Sequence, residues 1–376
     1  MRRMTIVAAT AVLAIAVSGC GSSSQIAEPG VKTVEIKLTD AGCDPAHVEV
    51  PAGPTSFEIT NDGADAVSEF EVLDGGKVLG ERENLTPGLS GDFSITLKPG
   101  TYVTSCPGGT TADKGELVVT GAASPETTEP RKSAAAQQAV SAYREYVESE
   151  ATKLVAATTA FANAVKNGDV ATAKRLFPGA RSHYESIEPI AESFGDLDPE
   201  IDARANDVAA AAKFEGFHRI EQQMWQQGNV DGMVPVATNL LTDVKELQSR
   251  IPGIALEPAQ VANGAVELLN EVATSKITGE EDRYSHTDLW DFEANLEGAK
   301  QAFVALRPMI RTKDPALVNQ LETRFAATEK VLAGYKEGDG YVLYTTLAQA
   351  DTRSMAKQVD ALADVLSKVA PLVIAG

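Results

Sequence analysis

The sequence predicts two domains of different fold class: a small antiparallel β-sandwich, then an all-α antiparallel helical bundle built as two packed bundles. Three observations carry this. Over residues 32–121, apolar side chains recur at a period of two in short runs separated by turn clusters. Residues 122–133 are rich in Pro, Thr and charge, the composition of a flexible linker. From 134 to 376 the apolar period lengthens to about 3.6 and the turn clusters thin out.

The chain opens with Arg2-Arg3, a short apolar run over 5–17, and Val17-Ser18-Gly19-Cys20. A run that short is a signal-peptide core and not a membrane span. The small residues before Cys20 match a bacterial lipoprotein box. Residues 1–19 are therefore read as the signal, Cys20 as the lipidated first mature residue and 20–31 as a polar tether. This anchors the folded part at the outer face of the cell membrane, on its periplasmic side.

Strand signals follow over 34–38, 48–50, 56–60, 69–72, 93–97 and 116–119. Between them lie Pro51-Ala52-Gly53-Pro54, Asn61-Asp62-Gly63, Asp74-Gly75-Gly76 and Pro99-Gly100. About seven short strands of this kind make a small sandwich. Beyond the linker, Val140, Tyr143, Val147, Ala151, Leu154 and Val155 draw one apolar stripe, continued by Phe161 and Val165 and ended by Asn167-Gly168-Asp169. Further helices are expected over 170–194 (interrupted near Pro178 and Pro189), 209–226, 236–250, 258–276, 285–307, 315–335 and 342–373. Short loops and missing strand signals make this a bundle.

Formal net charge is −20, and processing removes Arg2 and Arg3 as well. Nucleic acid is excluded as a partner, because it requires clustered Lys and Arg. Acidity of this degree suits cation binding, and equally solubility. After Cys20 only Cys43 and Cys106 remain. In an exported protein they form one disulfide or, alternatively, a Cys/Glu site for copper or iron that includes Glu69.

Three stretches of the helical region carry candidate chemistry. His218-x-x-Glu221 puts an imidazole and a carboxylate on one helical face, where the pair can clamp a metal. The plain alternative is a buried, hydrogen-bonded His beside a solvated Glu. In Tyr284-Ser285-His286-Thr287-Asp288-Leu289-Trp290-Asp291, residues Ser285 and Asp288 have the spacing of a capping box, while His286 and Asp288 are also candidate ligands. Glu185, Glu188 and Glu192 form a carboxylate stripe, which is a solvated surface or a seat for a hard cation.

Larger resemblances attach to these residues. Leu97-Lys98-Pro99-Gly100-Thr101-Tyr102, Cys106 and Gly115-Glu116-Leu117-Val118 resemble the closing hairpin of cupredoxins. Gly109 stands where a blue-copper protein has its second histidine, no methionine follows, and Glu69 occupies the first histidine position, so a blue-copper site is excluded. Gly216-Phe217-His218-Arg219-Ile220-Glu221 resembles the G-x-H-x-x-E signature of imelysin-type helical proteins. Tyr184-Glu185-Ser186-Ile187-Glu188-Pro189, Asp196-Leu197-Asp198-Pro199 and the 285–292 stretch are similar to the same family.

A cupredoxin-like part followed by an imelysin-type part resembles the extracytoplasmic components of ferrous-iron uptake systems, over essentially the whole mature chain. The resemblance implies iron (Fe2+ or Fe3+), with copper as a second metal. It implies His218, Glu221, Glu185, His286 and Asp288 as the metal set. An iron permease in the membrane and a haem-containing peroxidase outside it are the implied partners. The lipid anchor at Cys20 departs from freely soluble periplasmic relatives. The leading function is iron binding and delivery to the permease. The alternatives are an imelysin-type metallopeptidase, for which the usual H-E-x-x-H is missing, and a copper-assisted ferroxidase.

Overall fold

The computed structural model describes residues 31–122, 133–195, 197–206, 208 and 213–374. The expected signal peptide, the lipidation site Cys20, nearly all of the tether and most of the linker lie outside the described residues.

Nine strands lie between Lys32 and Thr120: β1 (Lys32–Thr39), β2 (Gly42–Asp44), β3 (His47–Pro51), β4 (Gly53–Asn61), β5 (Phe70–Asp74), β6 (Lys77–Arg82), β7 (Ser90–Leu97), β8 (Gly100–Ser105) and β9 (Lys114–Thr120). They form two sheets, ordered β2-β1-β4-β7 and β3-β9-β8-β5-β6. The sheets are mixed, where a purely antiparallel sandwich was expected. β1 runs parallel to β4 and β3 parallel to β9, because the chain crosses to the other sheet at β3 before returning. The alternating apolar residues point inward, and Phe57, Phe70 and Phe93 pack with centroids 5.2–5.9 Å apart.

One polar side chain organises the loops at the end of β4. Asn61, 1% exposed, donates from Nδ2 to the carbonyls of Ala64 (2.9 Å), Val67 (3.0 Å) and Leu85 (2.6 Å). Its Oδ1 accepts from the Ala64 amide at 2.7 Å. It ties the loop leading to Glu69 to the loop following Glu83.

The helices begin at Ala134: α1 (Ala134–Lys166), α2 (Val170–Glu185), α3 (Glu188–Glu192), α4 (Asp198–Asp202), α5 (Gly216–Gln226), α6 (Val234–Arg250), α7 (Pro258–Thr274), α8 (Asp288–Lys313), α9 (Pro315–Ala333), α10 (Gln349–Leu366) and α11 (Val369–Ile374). α1 packs on α2 and α6, and α7 packs on α8 and α10. α8 touches both sets, so one apolar core runs through the whole helical part.

Several sequence expectations shift. α2 runs through Pro178 without a break, its break falling at Ser186-Ile187 ahead of Pro189. The single helix expected over 342–373 is two, α10 and α11. They are preceded by a small hairpin, β10 (Lys336–Glu337) and β11 (Gly340–Tyr341), which carried no strand signal.

The two parts pack against each other through β6, β7 and α7. Asn263 Nδ2 donates to the Ser94 carbonyl at 2.9 Å, and Gln260 Nε2 to the Leu79 carbonyl at 3.3 Å. Arg82 pairs with Glu267 at 3.2 Å, with 11% and 6% of their side chains exposed. A buried Asn with three carbonyl partners makes a direct prediction. Asn61→Ala leaves those acceptors unpaired and should lower the unfolding free energy by about 2–3 kcal/mol. Urea unfolding checks it, and a loss under about 0.5 kcal/mol would contradict the assignment.

Candidate metal centre

The centre is built around a buried arginine. α2 is apolar on its inward side through Phe177 and Tyr184, yet Arg181 stands on the same side with no exposed surface. Burying a guanidinium costs several kcal/mol unless its donors are met. Here Nη1 bonds Asp202, and Nη2 bonds both Glu185 and Glu281, the last at 2.8 Å. Asp282 and Asp291 approach Nε at 3.3 and 3.7 Å.

His218 enters from α5. Gly216, the first residue of that helix, has φ 74°, and a Cβ there would lie 2.2 Å from the Ile201 carbonyl oxygen. Only glycine lets the start of α5 sit against α4, which brings His218 beside Asp202. His218 Nδ1 bonds Glu221 Oε2 at 2.9 Å, and Glu221 Oε1 accepts the amides of Tyr284 (2.9 Å) and Ser285 (2.7 Å). Both oxygens of Glu221 are therefore engaged in orienting its neighbours, as in carboxylate–histidine–metal arrangements.

His218 Nε2 faces Arg181 Nη1 at 2.9 Å, Glu281 at 3.4 Å and Asp202 at 3.7 Å. Burial and the Arg181 charge favour the neutral imidazole, but Asp202 and Glu221 outweigh them and hold its pKa well above the usual value. Nε2 is thus the atom for which a guanidinium and a proton compete.

The remaining candidates are placed unequally. Glu185, fully buried, bonds Arg181, Lys276 (2.6 Å) and Asn295 (3.2 Å). Asp288, fully buried, accepts the Asp282 amide at 3.3 Å, and its Oδ2 has no hydrogen-bond partner. The capping box expected from Ser285 and Asp288 is not formed: Thr287 stands at the N-cap position of α8 without a side-chain bond to its first turn, and Ser285 bonds Thr287 instead. His286 is half-buried with φ 61° and is held by its backbone, donating to the Asp282 carbonyl and accepting from Tyr344. Among the described residues it belongs to no cluster of three ligand-capable groups. The stripe of Glu185, Glu188 and Glu192 is no solvated surface: the first two are buried and the third lines a cavity.

In the sandwich, Cys43 and Cys106 form a disulfide, with Cα atoms 5.6 Å apart. This settles the open alternative against a cysteine-ligated metal, since neither sulfur is a thiolate. Glu69 converges instead with Glu81 and Glu83.

The sequence matches the imelysin family over residues 139–369 and a cupredoxin-like domain over 7–119. It is 42% identical, over 95% of this chain and 96% of the relative, to the iron uptake system component EfeO of Escherichia coli K12, and equally to that of Shigella flexneri. The chain belongs to the EfeO family. The helical fold is shared with a putative iron-regulated protein A precursor from Parabacteroides distasonis. That match has a TM-score of 0.50 at 15% identity, over 63% of this chain and 95% of that chain. Among the described residues of this EfeO-family chain, no helix is long and apolar enough to cross a membrane.

Five groups of this cluster escaped the sequence reading: Arg181, Asp202, Lys276, Glu281 and Asp282. Their signals were faint but present. Arg181 is a charge within an apolar stripe, four residues before Glu185, and Glu280-Glu281-Asp282 is an acidic run just ahead of the Ser285 stretch. Lys276 reaches in from the end of α7 to bond Glu185, Glu188 and Glu271 at 2.6–2.8 Å.

Negative charge exceeds what these cations balance. Burial pushes Asp282 up to about 7 and Asp288 up to about 8, with neighbouring carboxylates adding to the shift. Burial also raises Asp291, whose two oxygens have no hydrogen-bond partner.

Two predictions follow from this geometry. A carboxyl that titrates near 7 or 8 when folded, against 3.8 ordinarily, keeps its proton longer in the folded chain. The folded state binds more protons between about pH 4 and 8, so metal-free stability should fall as pH rises through that interval. Urea midpoints at pH 5.5 and 8 measure it, and a higher midpoint at pH 8 would contradict it. Gly216→Ala should force α5 away from α4 and destabilise the chain by about 1–3 kcal/mol. An unchanged melting temperature would show that the contact yields freely.

Proposed function

We propose that this chain captures an iron-class cation outside the cytoplasm and passes it to a membrane iron permease. Cys20 tethers it to the outer membrane face, and a haem-containing peroxidase is a further component of the same system. The observation that carries this reading is the buried, undercompensated carboxylate shell around His218. Asp282, Asp288 and Asp291 each keep a fully buried oxygen without a hydrogen bond, beside a single guanidinium. Buried carboxyls of this kind, holding protons in place of partners, can exchange those protons for a cation of higher charge density. Carboxylates with one imidazole suit iron, manganese or zinc and not Cu(I).

The ligand set is His218 Nε2 with Asp202 and Glu281, whose ligand atoms lie within 4.8 Å of one another, supported by Asp288 and Glu185. Glu221 holds the imidazole with Nε2 directed at the cation position. His218, 1% exposed, offers no face on which a polypeptide could lie, which favours capture over peptide hydrolysis. The disulfide removes the thiolate a copper-assisted ferroxidase would use.

His218→Ala should weaken iron binding by at least about 10-fold, as should Glu221→Ala through loss of orientation. Calorimetric titration of the metal-free mature chain measures both. Wild-type affinity in His218→Ala would overturn this ligand set.

A further inference from the structure

The head of Arg181 stands where a cation at the His218 centre would stand. Nη1 bonds Asp202 and lies 2.9 Å from His218 Nε2, and Nη2 bonds Glu281 at 2.8 Å. Asp202, His218 and Glu281 are the residues whose ligand atoms lie within 4.8 Å of one another. The contact at Nε2 also uses the lone pair that a metal ion would need. An ion and the guanidinium cannot hold these three atoms at once.

A second seat for the same head lies beside the first. Nε makes no hydrogen bond and is 3.3 Å from Asp282 Oδ1 and 3.7 Å from Asp291 Oδ1. Those oxygens, and Asp291 Oδ2, are within reach of the charge yet accept no hydrogen bond, although Arg181, Asp282 and Asp291 are all fully buried. One side of the head is thus fully bonded and the other is not. The carboxylates that the head would leave are not stranded. Glu185 keeps Lys276 at 2.6 Å and Asn295 at 3.2 Å, and Glu281 keeps Arg204 at 2.9 Å. Turning from the first seat to the second exchanges one set of charge-assisted bonds for another inside the same core.

We propose that Arg181 is the specificity-determining residue of the His218 centre: its guanidinium holds Asp202, His218 and Glu281 in the metal-free chain, yields them to an entering cation by turning to Asp282 and Asp291, and returns as the cation leaves. The exchange rests on the ligand set proposed above. A resident positive charge raises the threshold for entry. Mg2+ and Ca2+ prefer oxygen and gain little from an imidazole, so they do not offset the lost guanidinium bonds. An ion such as Fe2+, which takes imidazole and carboxylate together, does.

Calorimetric titration of the metal-free mature chain with Fe2+ under argon tests the exchange, the reading being the Fe2+ equivalent that His218→Ala removes. Arg181→Gln should bind that equivalent at least about 10-fold more tightly than wild type, because a competing charge is gone. Excess Ca2+ should displace it from Arg181→Gln and not from wild type. Arg181→Lys keeps the charge without the fork that bridges Asp202 and Glu281, so its affinity should shift in the same direction. Asp291→Asn leaves the three ligands in place and removes the second seat. It should weaken Fe2+ binding at least about 10-fold in wild type and not at all in Arg181→Gln, whereas a purely Coulombic loss would persist in both. Should Arg181→Gln fail to fold, Arg181→Lys and the Asp291→Asn single variant decide. A residue that only supports the core gives the opposite sign. Looser or unchanged Fe2+ binding in Arg181→Lys, or wild-type affinity in Asp291→Asn, would overturn the exchange and leave the ligand set standing. Wild-type Fe2+ binding in His218→Ala would instead overturn the ligand set itself.

Discussion

The helical part depends on how a buried guanidinium is neutralised. Arg181 is fully enclosed, and each face of its planar head meets a carboxylate from a different segment: Glu185 of α2, Asp202 of α4, Glu281 and Asp282 of the loop before α8, and Asp291 of α8. A buried ion pair is a weak source of net stability, since desolvation offsets much of the Coulombic gain. Its value here is geometric. It draws four segments to one point, and those segments carry the carboxylates around His218. The carboxylates outnumber the cations that hold them, so the same contacts that assemble the centre leave it short of positive charge.

Excess negative charge is also how the two halves of the molecule meet. Hydrogen bonds from Asn263 and Gln260 and the Arg82–Glu267 ion pair join β6 and β7 to α7. Beside these contacts the two parts face each other with glutamates. Lys276 lies between the two acidic clusters, bonding Glu185 on one side and Glu271 on the other. A change of charge in either cluster alters what that ammonium has to balance in the other. Asn61 holds the loops of the sandwich that bear on this boundary.

The chain's membership of the EfeO family supports an iron-uptake role, and its two carboxylate clusters differ in chemistry. One offers an imidazole bonded to Glu221 on one nitrogen and facing the Arg181 guanidinium on the other. The other offers oxygen alone, in a cavity rather than a sealed core.

What the sequence determined by itself was whatever depends on period and local turn chemistry. The change from a period of two to one of 3.6 placed the sandwich before the bundle. The G-x-H-x-x-E stretch located His218 and Glu221, because a helix puts i and i+3 on one face whatever surrounds it. Tertiary structure decided the rest. Mixed strand directions came from a crossover between sheets that no local pattern records. The roles of Glu221 and Glu192 depended on which partners reached them, Glu221 becoming an orienting group and Glu192 a cavity wall. Arg181 and Lys276 were invisible as site residues because a lone Arg or Lys reads as a surface charge until the fold buries it. Asp202 lies 21 residues from Arg181 and in a different helix, and Glu281 lies 100 residues from it. Sequence spacing specifies contacts within a helix or a hairpin, but those between elements are set by how the apolar stripes pack.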